Sequence, residues 1–580
     1  MNNREIAALF ETIADMLAIR GDELHRVLAY RKAAESIRAL GRGVGEISAE
    51  NALTTIPGIG KTLAAKIDEL LTTGRLEFYA RLAQEIPPTL VEMLQVEGMG
   101  PKKVKLVFDR LGIQTLAALE AAARQGQLRD LPGMGAKSEA KIQANIEALR
   151  RHGTGRYPLE IAWVAAQAIL STLAALPGVT RTAVGGSLRR MCETIGDIDL
   201  LVAVDSVEDY ADAIMEAFIH LPLVESVSGR GPTKSHVTLL SGIGVDLRVL
   251  PTERWGTLLA YFTGSKDHNV KLRELALKRG LSLNEYAFTP LHGGPEVVCA
   301  TEEAVYATLG LPTIPPTLRE DRGEIEAALA GKLPRVLQLG DIVADLHTHS
   351  TWSDGRVSIE AMAQAAQARG LKYLVVTDHS RSLGIANGLS LERLREQAAE
   401  VRAVDARLRP DFRVLHGTEM EIKADGTLDY PDEVLAELDV VIASLHVGLS
   451  QTTEQVTRRA LAAIDNPHVD ILGHPTGRLM PDRPGAELDM GAVLPAASAT
   501  GTVMEINSNP RRLDLNDIHA RRAMELGVKL AVNTDAHAET DLDYLHYGVA
   551  TAQRGWVSAE SVVNTWPLDR FLAYIRRHDG

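Results

Sequence analysis

Cysteine is nearly missing. Two residues in 580, Cys192 and Cys299, cannot build a disulfide framework, and a chain that does without one fits a reducing, cytoplasmic setting. Any long apolar run is missing too. The opening MNNREIAALFETIADML is charged, is helical in period and lacks a signal-peptide core. No stretch reaches the roughly 18 apolar residues of a membrane span. A basic excess is also absent: the formal net charge is −14, which on average disfavours a partner as acidic as nucleic acid. That average conceals a gradient of +2 over residues 1–155, −5 over 156–340 and −11 over 341–580. The acidic surplus sits at the back, where carboxylates can hold cations. Histidine is skewed the same way, with 11 of 17 in 341–580. Surface histidines would scatter more evenly, so the clustering points to metal sites.

A chain of this length, 45% hydrophobic, divides into about three to five folded domains. Residues 1–150 read as short amphipathic helices. They include three similar units, IPGIGKTLAAKI (56–67), VEGMGPKKVKLV (96–107) and LPGMGAKSEAKI (131–142). Each is an apolar-x-Gly-x-Gly turn followed by a helix with lysine. RHGTGRYPL (151–159) marks a boundary. A long helix, IAWVAAQAILSTLAAL, then leads to the strand-like runs TRTAVGG, IDLLVAV, HVTLL and VDLRVL, an α+β or α/β pattern. LPTIPPTLRE (311–320) is Pro-rich and begins a linker. From Val343, seven strand-like runs mostly alternate with helical stretches: VADLHTH, YLVVTDH, FRVLHGTEMEI, VVIASLHV, DILGHP, TVMEINS and VKLAVNTDAH. Repeated βα units predict a parallel sheet closed as a barrel, with reactive side chains at the C-terminal strand ends.

Metal-type ligands collect at those ends. His347 and His349 share a strand face, and Asp354 follows in the next loop. His379, Glu419, His446 and His474 end the second to fifth runs, and Asp535 and His537 end the seventh. A lone histidine so placed is more often a core residue than a ligand, and His416, His468, His519 and His546 lack the placement. Nine ligands together exceed the about four that one Zn²⁺ takes. They suit two or three ions with bridging carboxylates, the equipment for phosphate-ester hydrolysis. Imidazole fits Zn²⁺, and the carboxylates also admit Mn²⁺ or Fe.

A second motif lies at GGSLRRMCETIGDIDLLV (185–202). Gly185-Gly186-Ser187 forms a tight turn that can hold a phosphate, with Arg190 adding positive charge. Asp197 and Asp199 share a strand face, and Asp246 can join them from a neighbouring strand. Three such carboxylates make a two-Mg²⁺ (or Mn²⁺) site for in-line phosphoryl transfer. Each half of the motif is common by chance; the ordered combination is not.

Two resemblances follow from these motifs. DLHTHSTWSDG, TDHS, GTEME, SLH, GHP and NTDAH resemble the polymerase-and-histidinol-phosphatase (PHP) domain across nearly all of 341–580. That implies a distorted (β/α)7 barrel with a trinuclear site on the same nine residues. The 185–202 stretch, continuing into YFTGSKDHNVKLRELALKRGLSLNEY (261–286), resembles the palm and thumb of family X DNA polymerases, the polymerase beta group. By resemblance Tyr261, Phe262 and Gly264 line the sugar, Asn269 contacts the nascent pair, Arg273 meets the template, and Arg248 sits beside Asp199 and Asp246. Lys266 stands where polymerase beta has an acidic residue near the base, so it adds charge near the nucleotide. The Gly-x-Gly units resemble helix-hairpin-helix motifs. Their turns (Gly58, Gly60; Gly98, Gly100; Gly133, Gly135) hold DNA phosphates, with Lys61, Lys102, Lys103, Lys105 and Lys137 beyond them. The first unit, with YRKAA (30–34), resembles the polymerase beta lyase domain and places Lys66 at the Schiff-base position. Thr62 and Arg26 replace the lysines that assist there.

The whole order resembles bacterial family X polymerases. It implies a multidomain chain: a lyase-like helical domain (1–80), helix-hairpin-helix fingers (81–155), an α+β nucleotidyltransferase palm (156–255), a thumb (256–318), a linker (319–340) and a PHP barrel (341–580). The expected activities are gap-filling DNA synthesis in repair and 3′→5′ exonuclease, with abasic-site endonuclease or 3′-phosphatase as variants of the latter. The expected partners are gapped or nicked DNA and dNTPs, with no membrane, for a nucleoid-associated, cytoplasmic monomer. Two other readings are a phosphoesterase whose polymerase half only binds DNA, and a non-catalytic repair scaffold.

Overall fold

The computed structural model describes residues 1–96, 98–152 and 155–575. Glu97 of the second Gly-x-Gly unit, and Gly153 and Thr154 of the expected boundary, lie outside the described residues. The chain forms two compact units, Met1–Arg156 and Tyr157–Gly580. Among the described residues no helix is long and apolar enough to cross a membrane.

The first unit is helical. Helix Asn3–Arg20 starts on a capping box of Asn2 and Glu5 and stops at Gly21, whose φ of 91° turns the chain. Its apolar stripe, Ile6, Phe10, Ile13 and Leu17, packs with Val27, Tyr30 and Ile37 of helix Leu24–Arg38. The three Gly-x-Gly units share one turn. The amides of Ile59, Met99 and Met134 donate to the carbonyls of Ile56, Val96 and Leu131 at 3.0, 2.9 and 3.0 Å. The first glycine of each, Gly58, Gly98 and Gly133, has φ of 79°, 91° and 75°, a conformation that a side chain would strain. Gly60 and Gly100 then cap helices Lys61–Thr73 and Pro101–Leu111, and the carbonyl of Gly135 opens helix Ala136–His152. The apolar residues beside the glycines are buried, which leaves the turns at the surface.

In the second unit a five-stranded sheet comes first: β1 (Val179–Val184), β2 (Asp197–Val204), β3 (Val224–Arg230), β4 (Lys234–Leu239) and β5 (Gly244–Pro251), in the order β1-β2-β5-β4-β3. Strand β3 had no counterpart among the strand-like runs, because VESVSGR is an exposed edge with no apolar alternation. Period-two alternation sorts the faces of the central pair. Ile198, Leu200 and Val202 of β2, with Val245, Leu247 and Val249 of β5, pack on helices Leu159–Ala174 and Val207–Ile219. Leu201, Ala203 and Leu250 face the other way, onto Trp255, Leu258 and Leu259 of helix Trp255–Thr263. Asp197, Asp199 and Asp246 have the parity of this second face.

The last part is a seven-stranded, all-parallel, nearly closed barrel: β6 (Ala344–Thr348), β7 (Tyr373–Val376), β8 (Arg413–Glu421), β9 (Val440–Ser444), β10 (Ile471–Gly473), β11 (Val503–Asn507) and β12 (Leu530–Asn533), hydrogen-bonded in chain order. The amide of His349 donates to the Ala536 carbonyl at 2.8 Å, linking last strand to first. Leu346, Val375, Leu415, Ile442, Ile471, Val503 and Ala531 fill the interior. Trp566 and Phe571 join that interior cluster and close the N-terminal end. The segment expected as a linker is packed rather than loose. Arg319 and Glu324 are fully buried, and Leu337 belongs to the core around the barrel. The sheet domain and the barrel touch: Met480, Leu513, Tyr544 and Tyr547 of the barrel join the core of the sheet.

Candidate functional sites

The palm-like site is built by register. Asp199 on β2 lies directly opposite Asp246 on the parallel strand β5, and Asp197 lies opposite Gly244. The Gly185-Gly186-Ser187 turn closes over them. The Gly185 amide donates to the Asp199 carbonyl at 2.8 Å. Gly186 has φ of 56°, and a Cβ there would collide with the Asp199 carboxylate. Burial, then the charges of Asp197 and Asp246, push Asp199 up to about 7. Asp246 is held below the usual carboxylate range by His236, whose Nδ1 lies 3.3 Å away on β4. A half-buried acid crowded by two others is a donor set that fits a divalent cation.

Around it, Arg248 stacks over the Phe262 ring at 4.4 Å, Tyr261 meets Phe262 edge-on, and the Asn269 amide donates to the Tyr261 carbonyl at 2.7 Å. Lys266, first in helix Lys266–Lys278, and Arg273 are exposed. Arg190, expected to offer its charge to a phosphate, is engaged within the protein: Nη1 donates to the Thr263 carbonyl at 2.6 Å and Nε to Glu320 at 3.0 Å. One unforeseen element supports the site from below. Glu302 accepts from Arg189 at 2.5 and 2.8 Å and from Arg319 at 2.6 Å. Against the upward push of burial, these cations hold Glu302 at about 2.

The barrel site gathers the nine expected residues. Donor atoms of His347, His349, Glu419 and Asp535 all lie within 4.8 Å of one another. The same holds for His349, Asp354, His379 and His537, and for His379, Glu419 and His446. Among the described residues these are the groups that meet this criterion, and shared members join them into one cluster. His474 adjoins through Nε2, 2.8 Å from Glu419 Oε1. Burial pushes His349 down to about 3. It pushes His446 the same way, but Glu419 and Glu421 outweigh it and lift that imidazole to about 9.

Three polar partners were not foreseen. Glu505 takes Nδ1 of His347 at 2.8 Å and the His474 amide at 2.6 Å, and Glu421 takes Nδ1 of His446 at 2.7 Å. Each turns the other ring nitrogen toward the cluster. Arg512 places Nε 3.3 Å from Asp535. The signal for the two carboxylates was periodicity, since Glu421 follows Glu419 by two and Glu505 follows the inward Val503 by two. His347 Nε2, both ring nitrogens of His349 and His474, His379 Nδ1 and both oxygens of Glu419 are buried without hydrogen-bond partners. Eight orphan atoms on five neighbouring side chains are costly in a folded protein, and one nitrogen of each imidazole with the Glu419 oxygens makes a donor set that fits transition-metal ions.

In the first unit Lys66 lies between two rings. Its Nζ donates to the Tyr30 hydroxyl and sits 3.4 Å from the Phe78 ring centre. Burial, then the nearby charge of Arg26, bring its amine down to about 8. Lys61, Lys102 and Lys137, next to the Gly-x-Gly turns, are exposed.

A polymerase-type acid cluster beside a phosphoesterase-type barrel lined by a buried His/Asp/Glu cluster defines a two-centre phosphoryl-transfer protein. Family models agree on its parts: a helix-hairpin-helix domain over 1–76, a SAM-like helix-hairpin-helix tandem over 90–151, a DNA polymerase beta thumb over 258–320 and a PHP domain over 345–486. The chain belongs to the PolX family of bacterial family X polymerases. It is 39% identical over 583 aligned residues, the whole of both chains, to the DNA polymerase/3′-5′ exonuclease PolX of Bacillus subtilis (strain 168). It is also 26% identical to rat DNA polymerase lambda, over 55% of this chain and 56% of that one. The barrel alone is 32% identical to a probable phosphatase of Thermoanaerobacter sp. (strain X514), covering 39% of this chain and 91% of that one.

Proposed function

We propose that this chain is a DNA-directed DNA polymerase that fills short gaps during DNA repair, and that its barrel is a metal-dependent 3′→5′ exonuclease. The pairing of Asp199 with Asp246 across two parallel strands, with Gly186 against the same carboxylate, carries the first half of the reading. The full-length likeness to PolX supports both halves.

In the palm, Mg²⁺ or Mn²⁺ held by Asp197, Asp199 and Asp246 would activate the primer hydroxyl and neutralise the triphosphate. The turn at Gly186 and Ser187 holds the phosphates of the incoming dNTP, with Arg190 closing that turn. Tyr261, Phe262 and Gly264 pack the sugar, Asn269 reads the minor-groove side of the new pair, and Lys266 stands near the nucleotide. Arg248 and Arg273 face the DNA. In the barrel, two or three Zn²⁺, Mn²⁺ or Fe ions on His347, His349, Asp354, His379, Glu419, His446, His474, Asp535 and His537 would supply a nucleophilic hydroxide and neutralise the leaving group. Glu505 and Glu421 orient the imidazoles, and Arg512 offers positive charge to the scissile phosphate. The Gly-x-Gly turns, with Lys102, grip DNA phosphates without reading sequence. Lys66, with its lowered pKa, attacks a 5′-deoxyribose phosphate end as a Schiff-base lyase. The protein works as a monomer in the nucleoid.

The phosphatase relative of the barrel favours 3′-phosphate removal as a second barrel activity, which would restore the hydroxyl that the palm extends. Primer extension and 3′-end digestion on one gapped duplex test the reading. No extension in Mg²⁺ or Mn²⁺ leaves only the phosphoesterase, and neither activity leaves only a scaffold.

A further inference from the structure

The palm turn is gripped from the barrel side. The one-turn helix Gly186–Arg189 begins against Asp199 and ends at Arg190, whose amide closes it on the Gly186 and Leu188 carbonyls. Arg554, the last residue of barrel helix Leu545–Arg554, reaches across. Its Nη1 donates to the Arg190 carbonyl at 2.9 Å and to Glu320 Oε1 at 2.7 Å. The same Glu320 oxygen accepts from Arg190 Nε at 3.0 Å. Arg190 in turn holds the carbonyl of Thr263, at the end of the helix that carries Tyr261 and Phe262. On its other side Arg554 Nη2 lies 3.1 Å from Asp517 Oδ2. Asp517, Arg554, Glu320 and Arg190 thus alternate in charge from barrel to palm. The side chains of Arg554, Glu320 and Arg190 are 9%, 15% and 12% exposed, so water screens these pairs weakly.

We infer that Arg554 is a positioning residue for the polymerase: acting through Glu320 and Arg190, it sets the phosphate turn and the Tyr261–Phe262 helix in one geometry. The barrel is then a structural part of the nucleotide site. The inference rests on the polymerase reading of the palm. A plain adhesive role is distinguishable, because Arg322 crosses the same interface to Asp517 at 2.8 Å without touching the turn.

The test is single-nucleotide gap filling by the full-length chain. Arg554→Gln is expected to raise KM for dNTP about tenfold, as for one lost charge-assisted hydrogen bond, with kcat and 3′-end digestion within about twofold of the unaltered chain. Arg554→Lys should recover part of the loss, Arg322→Gln should leave KM in place, and Glu320→Gln should add little to Arg554→Gln because both break one relay. An unchanged KM in Arg554→Gln overturns the inference. So does a parallel fall of synthesis and digestion that Arg322→Gln reproduces, since that is general loosening. If the unaltered chain does not extend primers, the polymerase reading fails first and this inference falls with it.

Discussion

The palm and the barrel both collect acidic side chains at strand ends, on opposite plans. The palm sets three carboxylates on two neighbouring strands, with Asp197 exposed and Asp199 and Asp246 half-buried. It supplies no imidazole among the three, so a cation held there would be completed by substrate and water. The barrel seals His347, His349, Glu419 and His474 almost completely and backs two of its imidazoles with further carboxylates. An open acid cluster suits a reaction whose reactants bring the remaining ligands. A closed imidazole cluster suits ions that stay with the protein between turnovers.

Separating the two centres gives the largest effect. His347→Ala with His349→Ala should lower 3′-end digestion by on the order of 10³-fold or more and spare primer extension, and Asp199→Asn should do the reverse. Assays of both activities on one preparation decide, and joint loss in either variant would mean a single shared site. Next, Glu505→Gln should weaken barrel metal affinity about 10- to 100-fold by freeing the His347 ring. Elemental analysis after dialysis against a chelator reads this, and unchanged metal content would show that Glu505 only fills space. Third, the Lys66 amine, lowered to about 8, is charged below that pH and neutral above it. Borohydride trapping on a 5′-deoxyribose phosphate end should therefore rise about tenfold between pH 7 and 9 and then level off. A flat profile, or an adduct that survives Lys66→Ala, removes Lys66 as the nucleophile. The smallest effect belongs to the helical front. Lys102→Ala and Lys103→Ala should each weaken binding to any DNA sequence a few-fold and reduce the slope of log affinity against log salt by about one. A sequence-dependent loss would count against phosphate contacts.

Much of this was legible because alternation along a strand is a local rule. Asp197 and Asp199 had to share a face, and six of the seven apolar runs carried the expected metal-type side chains to the same barrel end. Other features were hidden. Glu421 and Glu505 obey the same alternation but look like any strand glutamate until His446 and His347 arrive beside them. Arg190 read as a free cation, although Glu320, 130 residues later, claims it. The stretch 319–340 read as a linker begun by the Pro-rich run 311–320, yet it buries Arg319 against Glu302 and Glu324 against His268.

The sequence by itself determined the parts: repeated glycine turns, a paired-acid strand, and a ring of histidines on alternating β and α segments. Each depends on residues close in the chain, where spacing alone sets which side chains share a face or a turn. Only the tertiary structure decided what those parts lean on, namely the carboxylates behind the imidazoles, the Arg189–Glu302–Arg319 cluster and the Arg554 grip on the palm turn. Those partners lie tens to hundreds of residues apart. A buried charge is stable only beside its counter-charge, and that pairing is settled by how the domains pack.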